Sequence, residues 1–493
     1  MAGPAKAKQG EVIRPKFNWW SLFDHALGGY VKGADGCYYL NGGWSHIMAW
    51  AGRGNTFKTF VVDQAHATIA TRYNFEWWSK YDTEVSAELS RAETALRAAY
   101  RNNHWEYDPT IHSLEAQIHE NRFNFNAADS LQGQDWWAEY VRDEVEGRHK
   151  QYLSGKNLRE TPFPDPIRKT NRKILNPWLF ALDSLSEWHS NAVEKSRDSS
   201  DVGDGDQNSL AMKDAKDKSD MMGRWPGALA RGHFYIGFTV HLSDSIQMGR
   251  YAPDKKLDDL KANIKFSGVP NRAITFLTNS LLVATSSGEM VKDKSYDSTR
   301  GVNEAMYPRS DVRGMLAAQN DLKVIRYTQF RAKAGPTGVK FDMIFSQEEG
   351  LLVGLSEYHY LRTVLKCEFG LEKVSGHYFQ LPLYPEKKYQ RTTIRTEIDK
   401  DHRLKRALEI TAAIAYMQNN WLTLDDNFRI TADEIYDKIK AKGFNWDEIL
   451  DNTVEWWYFK DQETTIKKHT LTAMTILHMA VYDLKPKFLT CTK

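Results

Sequence analysis

The apolar run Trp44-Ser-His-Ile-Met-Ala-Trp-Ala51 leads straight into Gly52-Arg-Gly-Asn-Thr-Phe-Lys-Thr59, and a helical stretch to Tyr73 follows. A buried strand, a tight loop and a helix in that order leave few folds open. The loop fits G-x-x-x-x-G-K-[ST] at every position but one, because Phe57 stands where the pattern has its second glycine. In such a loop the backbone of Gly52, Arg53, Gly54, Asn55, Thr56 and Phe57 cradles the phosphates of ATP. Lys58 reaches the β/γ-phosphates, and the Thr59 hydroxyl takes Mg²⁺. Phe57 is tolerable on the condition that the backbone there does not need positive φ.

The rest of the chain reads as strands alternating with helices. Strands are expected at 76–82, 122–128, 177–183, 233–241, 279–285, 323–330 and 340–345, with helices over 86–120 and 130–150. That alternation predicts an α/β fold: a P-loop core with a mainly parallel sheet flanked by helices. The expected division is a basic leader (1–16), a core (17–346) with an insertion at about 86–120, and a smaller C-terminal α/β-to-helical domain (347–493), helical over 402–419 and 432–458. The proline-bearing stretch up to about 173 reads as a loop. The Gly/Asp/Ser-rich stretch 197–223 reads as a mobile surface loop.

Composition narrows the function classes. A formal net charge of +2 supplies no global attraction to nucleic acid, so any basic surface must be local. The three cysteines, Cys37, Cys367 and Cys491, lack zinc spacing and fit a reduced compartment. No apolar run approaches the ~18 residues of a membrane span, which predicts a cytoplasmic protein without a membrane partner. Sixteen tryptophans, four times as adjacent pairs, read as core filling ahead of base stacking.

Two acids and a histidine close expected strands. Asp183 follows an apolar run, the position from which a carboxylate orients Mg²⁺. Glu84 ends an earlier strand at a point suited to activating a water. His241 ends a later one.

These pieces, with Phe23-Asp-His-Ala-Leu-Gly-Gly29, Gly42-Gly43, Tyr81-Asp-Thr-Glu84, Leu182-Asp183-Ser184, Thr239-Val-His241, Phe330-Arg331-Ala-Lys333, Glu349-Gly-Leu-Leu352 and Gly376-His-Tyr-Phe379, resemble the RecA family of strand-exchange ATPases over about residues 17–400. The phage branch of that family likewise places Phe before the loop lysine, which would put this chain in a host cytoplasm. The resemblance implies that Glu84 is the general base and that His241 senses the γ-phosphate. It implies that Arg331 and Lys333 reach a neighbouring subunit's γ-phosphate. It further implies a DNA-dependent ATPase, a homo-oligomeric helical filament on single-stranded DNA that pairs it with duplex DNA, and loader and single-strand-binding partners. Two loops, about 188–225 and 244–272, would face that DNA, the second with Arg250, Lys255, Lys256, Lys261, Lys265 and Arg272 on its phosphates. The other readings are a hexameric replicative helicase on the same core and a non-hydrolysing accessory DNA-binding protein.

Overall fold

The computed structural model describes residues 13–75, 77–84, 89–126, 134–199, 207–243, 265–297, 302–311 and 321–489. Its centre is one large sheet. β1 (Ile47–Gly52) is buried at every position, as expected of a strand covered on both faces. It is joined by β2 (Trp77–Asp82), β3 (Phe123–Asn126), β4 (Trp178–Asp183), β5 (Phe234–Ser243), β6 (Ser280–Glu289), β7 (Leu322–Ala332), β8 (Lys340–Ser346) and β9 (Gly350–Leu351). The order across the sheet is β9-β8-β7-β6-β1-β5-β4-β2-β3. From β6 to β3 every pairing is parallel, whereas β7, β8 and β9 add on antiparallel. The expected mainly parallel α/β sheet is therefore present, with an antiparallel flank.

Parallel strands bring their carboxyl ends to one edge, where α/β proteins bind ligands. Here that edge receives Gly52, Asp82, Asp183 and His241, the last register partner of β1 on β5. Helix α1 (Lys58–Tyr73) starts there and runs back under the sheet, burying Val61, Val62, Ala65, Ala67 and Ile69. Helices α2 (Leu89–Asn102) and α3 (Gln134–Ser154) follow β2 and β3.

Of the paired tryptophans, Trp19, Trp20, Trp78, Trp456 and Trp457 are buried in the core, as their composition suggested, and Trp77 is partly buried. Phe17 meets Tyr73 at 4.8 Å, Tyr235 at 4.9 Å and Trp457 at 5.4 Å between ring centroids. The C-terminal part thus shares a core with the sheet.

Three expectations are corrected. The segment read as a mobile loop over 197–223, and as a DNA-facing loop over about 188–225, holds helix Asn191–Asp198 and then α4 (Gln207–Gly232). Its inward positions include Asp214 and Lys218, whose carboxylate and ammonium pair at 2.8 Å. The stretch up to about 173 is an antiparallel hairpin, Leu158–Asp165 with Thr170–Leu175, whose register breaks between Glu160 and Pro164 and so accommodates the prolines. The helical reading of 432–458 holds for Ala432–Ala441 and Trp446–Asn452, after which the short strand Thr453–Val454 takes over. Helix α5 (Asn271–Leu277) precedes β6, and α6 (His402–Asn420) is the long helix of the C-terminal part. No helix among the described residues is long and apolar enough to cross a membrane.

Candidate functional site

Gly52 ends β1 and turns the chain; a Cβ there would meet Thr56 Oγ1 at 2.5 Å. The loop is held from within and from behind. Thr56 Oγ1 donates to Arg53 O at 2.8 Å, and the Tyr327 hydroxyl, from β7, donates to Thr56 O at 2.6 Å. Arg53, Gly54 and Asn55 are exposed, so the outer face of the loop is open.

Phe57 does not meet the condition set for it. Its φ is 56°, in the left-handed region, as is that of Asn55 at 57°. A side chain in that conformation costs about 1–2 kcal/mol. What offsets it is packing: the Phe57 ring stacks on Phe345 of β8, 5.2 Å between centroids and 24° between planes. The pattern's glycine is replaced by a residue that keeps the glycine's backbone shape and gains a ring contact.

Lys58 is buried, and its ammonium donates to one carbonyl, Arg53 O, at 2.9 Å. Burial lowers its pKa, opposed by the nearby carboxylates of Asp183 and Glu84. A desolvated ammonium that, among the described residues, hydrogen-bonds a neutral carbonyl and no carboxylate fits a polyphosphate, which would pair with it directly. Beside it, Thr59 Oγ1 donates to Asp183 Oδ2 at 2.5 Å, and Thr239 Oγ1 donates to the other oxygen, Asp183 Oδ1. A hydroxyl and a carboxylate so placed are the hard oxygen donors that suit Mg²⁺, which takes few protein ligands and fills its shell with water and phosphate.

Glu84 and His241 complete the group. His241 Nε2 lies 2.6 Å from Glu84 Oε1. That hydrogen bond is the main cause holding the Glu84 carboxyl below the usual glutamate value, with burial opposing it. Thr83 ties the ends of β2 and β4 together: its N–H donates to Asp183 O at 2.7 Å and its hydroxyl to Ser184 O at 2.8 Å. Thus Lys58, Thr59, Glu84, Asp183 and His241, expected together from sequence, do converge.

Arg331 and Lys333 do not join them. Ala332 pairs with Ser280, and Ser280 with Met48, so the end of β7 is level with the start of β1. At ~3.3 Å per residue that is about 13 Å of strand short of Gly52, before the loop even begins. Both side chains reach the other way, to the end of α5: Arg331 Nη2 to Phe276 O and Lys333 Nζ to Leu277 O, each at 3.4 Å.

Of the basic residues expected on DNA, Lys265 and Arg272 are exposed, on a short strand pairing β5 and on the first turn of α5. Arg250, Lys255, Lys256 and Lys261 lie outside the described residues. Thr239, Thr83 and Tyr327 were not anticipated as site residues. Thr239 had a signal, since it stands two residues before His241 and strand residues at that spacing share a face.

No protein-family model matches the sequence, and no curated protein does.

Proposed function

We propose that this chain is an ATP-dependent DNA recombinase, which assembles as a filament on single-stranded DNA and promotes homologous pairing and strand exchange with duplex DNA. One observation carries the reading: Lys58, Thr59, Glu84, Asp183 and His241 gather at the strand ends, while the basic pair Arg331 and Lys333 cannot reach them within the same copy. A site that binds and splits ATP on its own has no need of Arg331 and Lys333 at the far edge. A site completed by a neighbour does.

In this reading Lys58 holds the β/γ-phosphates, and Thr59 with Asp183 holds Mg²⁺, which when bound neutralises charge on the transferring phosphoryl group. Glu84 accepts a proton from the attacking water as its oxygen bonds to the γ-phosphorus and the bond to the ADP oxygen breaks. His241, hydrogen-bonded to that carboxylate, fixes its direction. Arg331 and Lys333 of one copy approach the γ-phosphate in the next, where fixed cations stabilise developing charge. Lys265 and Arg272 would contribute phosphate contacts indifferent to base sequence, leaving recognition to base pairing.

The deciding experiment measures ATP hydrolysis with and without single-stranded DNA, alongside electron microscopy with a non-hydrolysable ATP analogue. DNA-stimulated turnover and extended helical filaments are expected. Closed six-membered rings that unwind forks would make the chain a helicase instead, and DNA binding without turnover would make it an accessory protein.

A further inference from the structure

Away from the strand ends, a cavity of about 50 Å³ lies where four parts of the chain meet. Arg72 comes from the last turn of α1, His104 from just beyond α2, Lys405 and Arg406 from α6, and Lys468 from the C-terminal segment. With His402, six basic side chains thus line one small space, and Glu409 is the acid among its lining residues.

Some of this charge is answered. Arg406 Nη1 pairs with Glu409 at 2.7 Å and Glu455 at 3.2 Å. Arg72 Nε donates to Asn103 Oδ1 at 2.9 Å, and His402, also at the rim, pairs with Asp451 at 2.8 Å. The remainder is not. Among the described residues the Lys405 and Lys468 ammonium groups make no hydrogen bond or ion pair. His104 Nε2 is buried without a hydrogen-bond partner. Three acids lie within electrostatic reach of Lys405 without pairing with it: Glu409, whose carboxylate is already bonded to Arg406, Asp399, and Glu357, whose carboxyl burial pushes well above the usual range. Burial pushes Lys405 down to about 8, and it lowers Lys468, on which Arg406 acts in the same direction while Asp451 and Glu409 oppose it. Desolvated like charges cost free energy that an anion between them would return.

We infer that this junction is a binding site for one tetrahedral oxyanion, a phosphate group held by Lys405, Lys468 and His104. Size sets the class. At roughly 10–15 Å³ per water-sized group the cavity takes about four oxygens, those of one phosphate. It is far below the ~300 Å³ that encloses a nucleotide-sized ligand. Its position gives the bound group a role: it would clip α6 and the C-terminal segment to the ends of α1 and α2.

The test uses the full chain carrying Lys58→Ala, which removes phosphate binding at the loop, so that its result does not depend on the ATP reading. Melting temperature and titration calorimetry are read in inorganic phosphate, in chloride at equal ionic strength, and with a short single-stranded oligonucleotide. A saturable rise in melting temperature specific to phosphate is expected, and its loss in Lys405→Met/Lys468→Met. In chloride, Lys405→Met should melt higher than its parent, because a desolvated ammonium without a hydrogen-bonded partner has gone. A rise with the oligonucleotide alone, lost in the same variant, assigns the site to a phosphate of a nucleic-acid backbone instead of the free ion. A rise that chloride reproduces, one that survives both substitutions, or none with either ligand overturns the inference. Should the double variant not fold, tungstate soaked into crystals decides: density between Lys405 Nζ and Lys468 Nζ is expected, and none at saturation overturns it.

Discussion

His241 Nε2 stands 2.6 Å from Glu84 Oε1, yet the strands that carry them, β5 and β2, are not neighbours: β4 runs between them and ends in Asp183. The bond therefore arches over the acid that bonds Thr59. It also depresses the pKa of Glu84, so the carboxylate survives to lower pH than an ordinary glutamate, and the stability it contributes is lost only as pH falls through that lowered value. His241→Ala should move the acid limb of the hydrolysis pH profile to higher pH. An unshifted limb would mean that Glu84 is not the group titrating.

Lys58→Ala should lower DNA-stimulated ATP hydrolysis by at least about 10²-fold, the scale of losing one preorganised charge partner of a transition state. Folding should not suffer, since the side chain removed is a buried ammonium bonded to a single carbonyl. Turnover assays and thermal melts on the same preparation check both halves.

Phe57 offers a clean backbone measurement. Phe57→Ala and Phe57→Gly both lose the ring contact with Phe345, but only alanine must still pay for a left-handed φ. The glycine variant should be the more stable by about 1 kcal/mol. Equal denaturation midpoints would show that the loop relaxes out of that conformation once the ring is gone.

Complementation tests the division of labour across subunits. Arg331→Ala/Lys333→Ala protein and Glu84→Gln protein should each hydrolyse ATP slowly alone. Mixed, they should recover part of the rate, because some junctions then join an intact Glu84 to an intact basic pair. No recovery at any ratio would place the pair's role within its own copy.

Lys80 Nζ and Asp63 Oδ2 pair at 2.5 Å between β2 and α1, each side chain only 1% exposed. Lys80→Met should cost about 3–5 kcal/mol by leaving a buried carboxylate unpaired, and adding Asp63→Leu should return most of it. Urea unfolding of the two variants supplies the comparison.

Why some of this was legible in sequence and some not follows from particular residues. Strands β1, β4 and β5 announce themselves as apolar runs, and their ends place Asp183 and His241 without further information. Helix α4 stayed hidden although Asp214, Lys218, Met221, Met222 and Trp225 recur at helical spacing and are all buried. Its inward stripe begins with charges, which pair with each other and with His189 inside the fold, and a polarity pattern counts them as solvent-facing. The left-handed φ of Phe57 was invisible for another reason: the ring that offsets it belongs to β8, far along the chain. The level of Arg331 against β1 follows from pairing order, which spacing alone does not reveal.

That level has an arithmetical consequence. If neighbours complete one another's sites as proposed, a row of n copies would contain n − 1 complete sites, and the end copy would hold a loop that nothing serves. Turnover per subunit would then climb with assembly length toward a plateau, and short assemblies would be disproportionately idle. Length itself becomes a quantity that the rate reports.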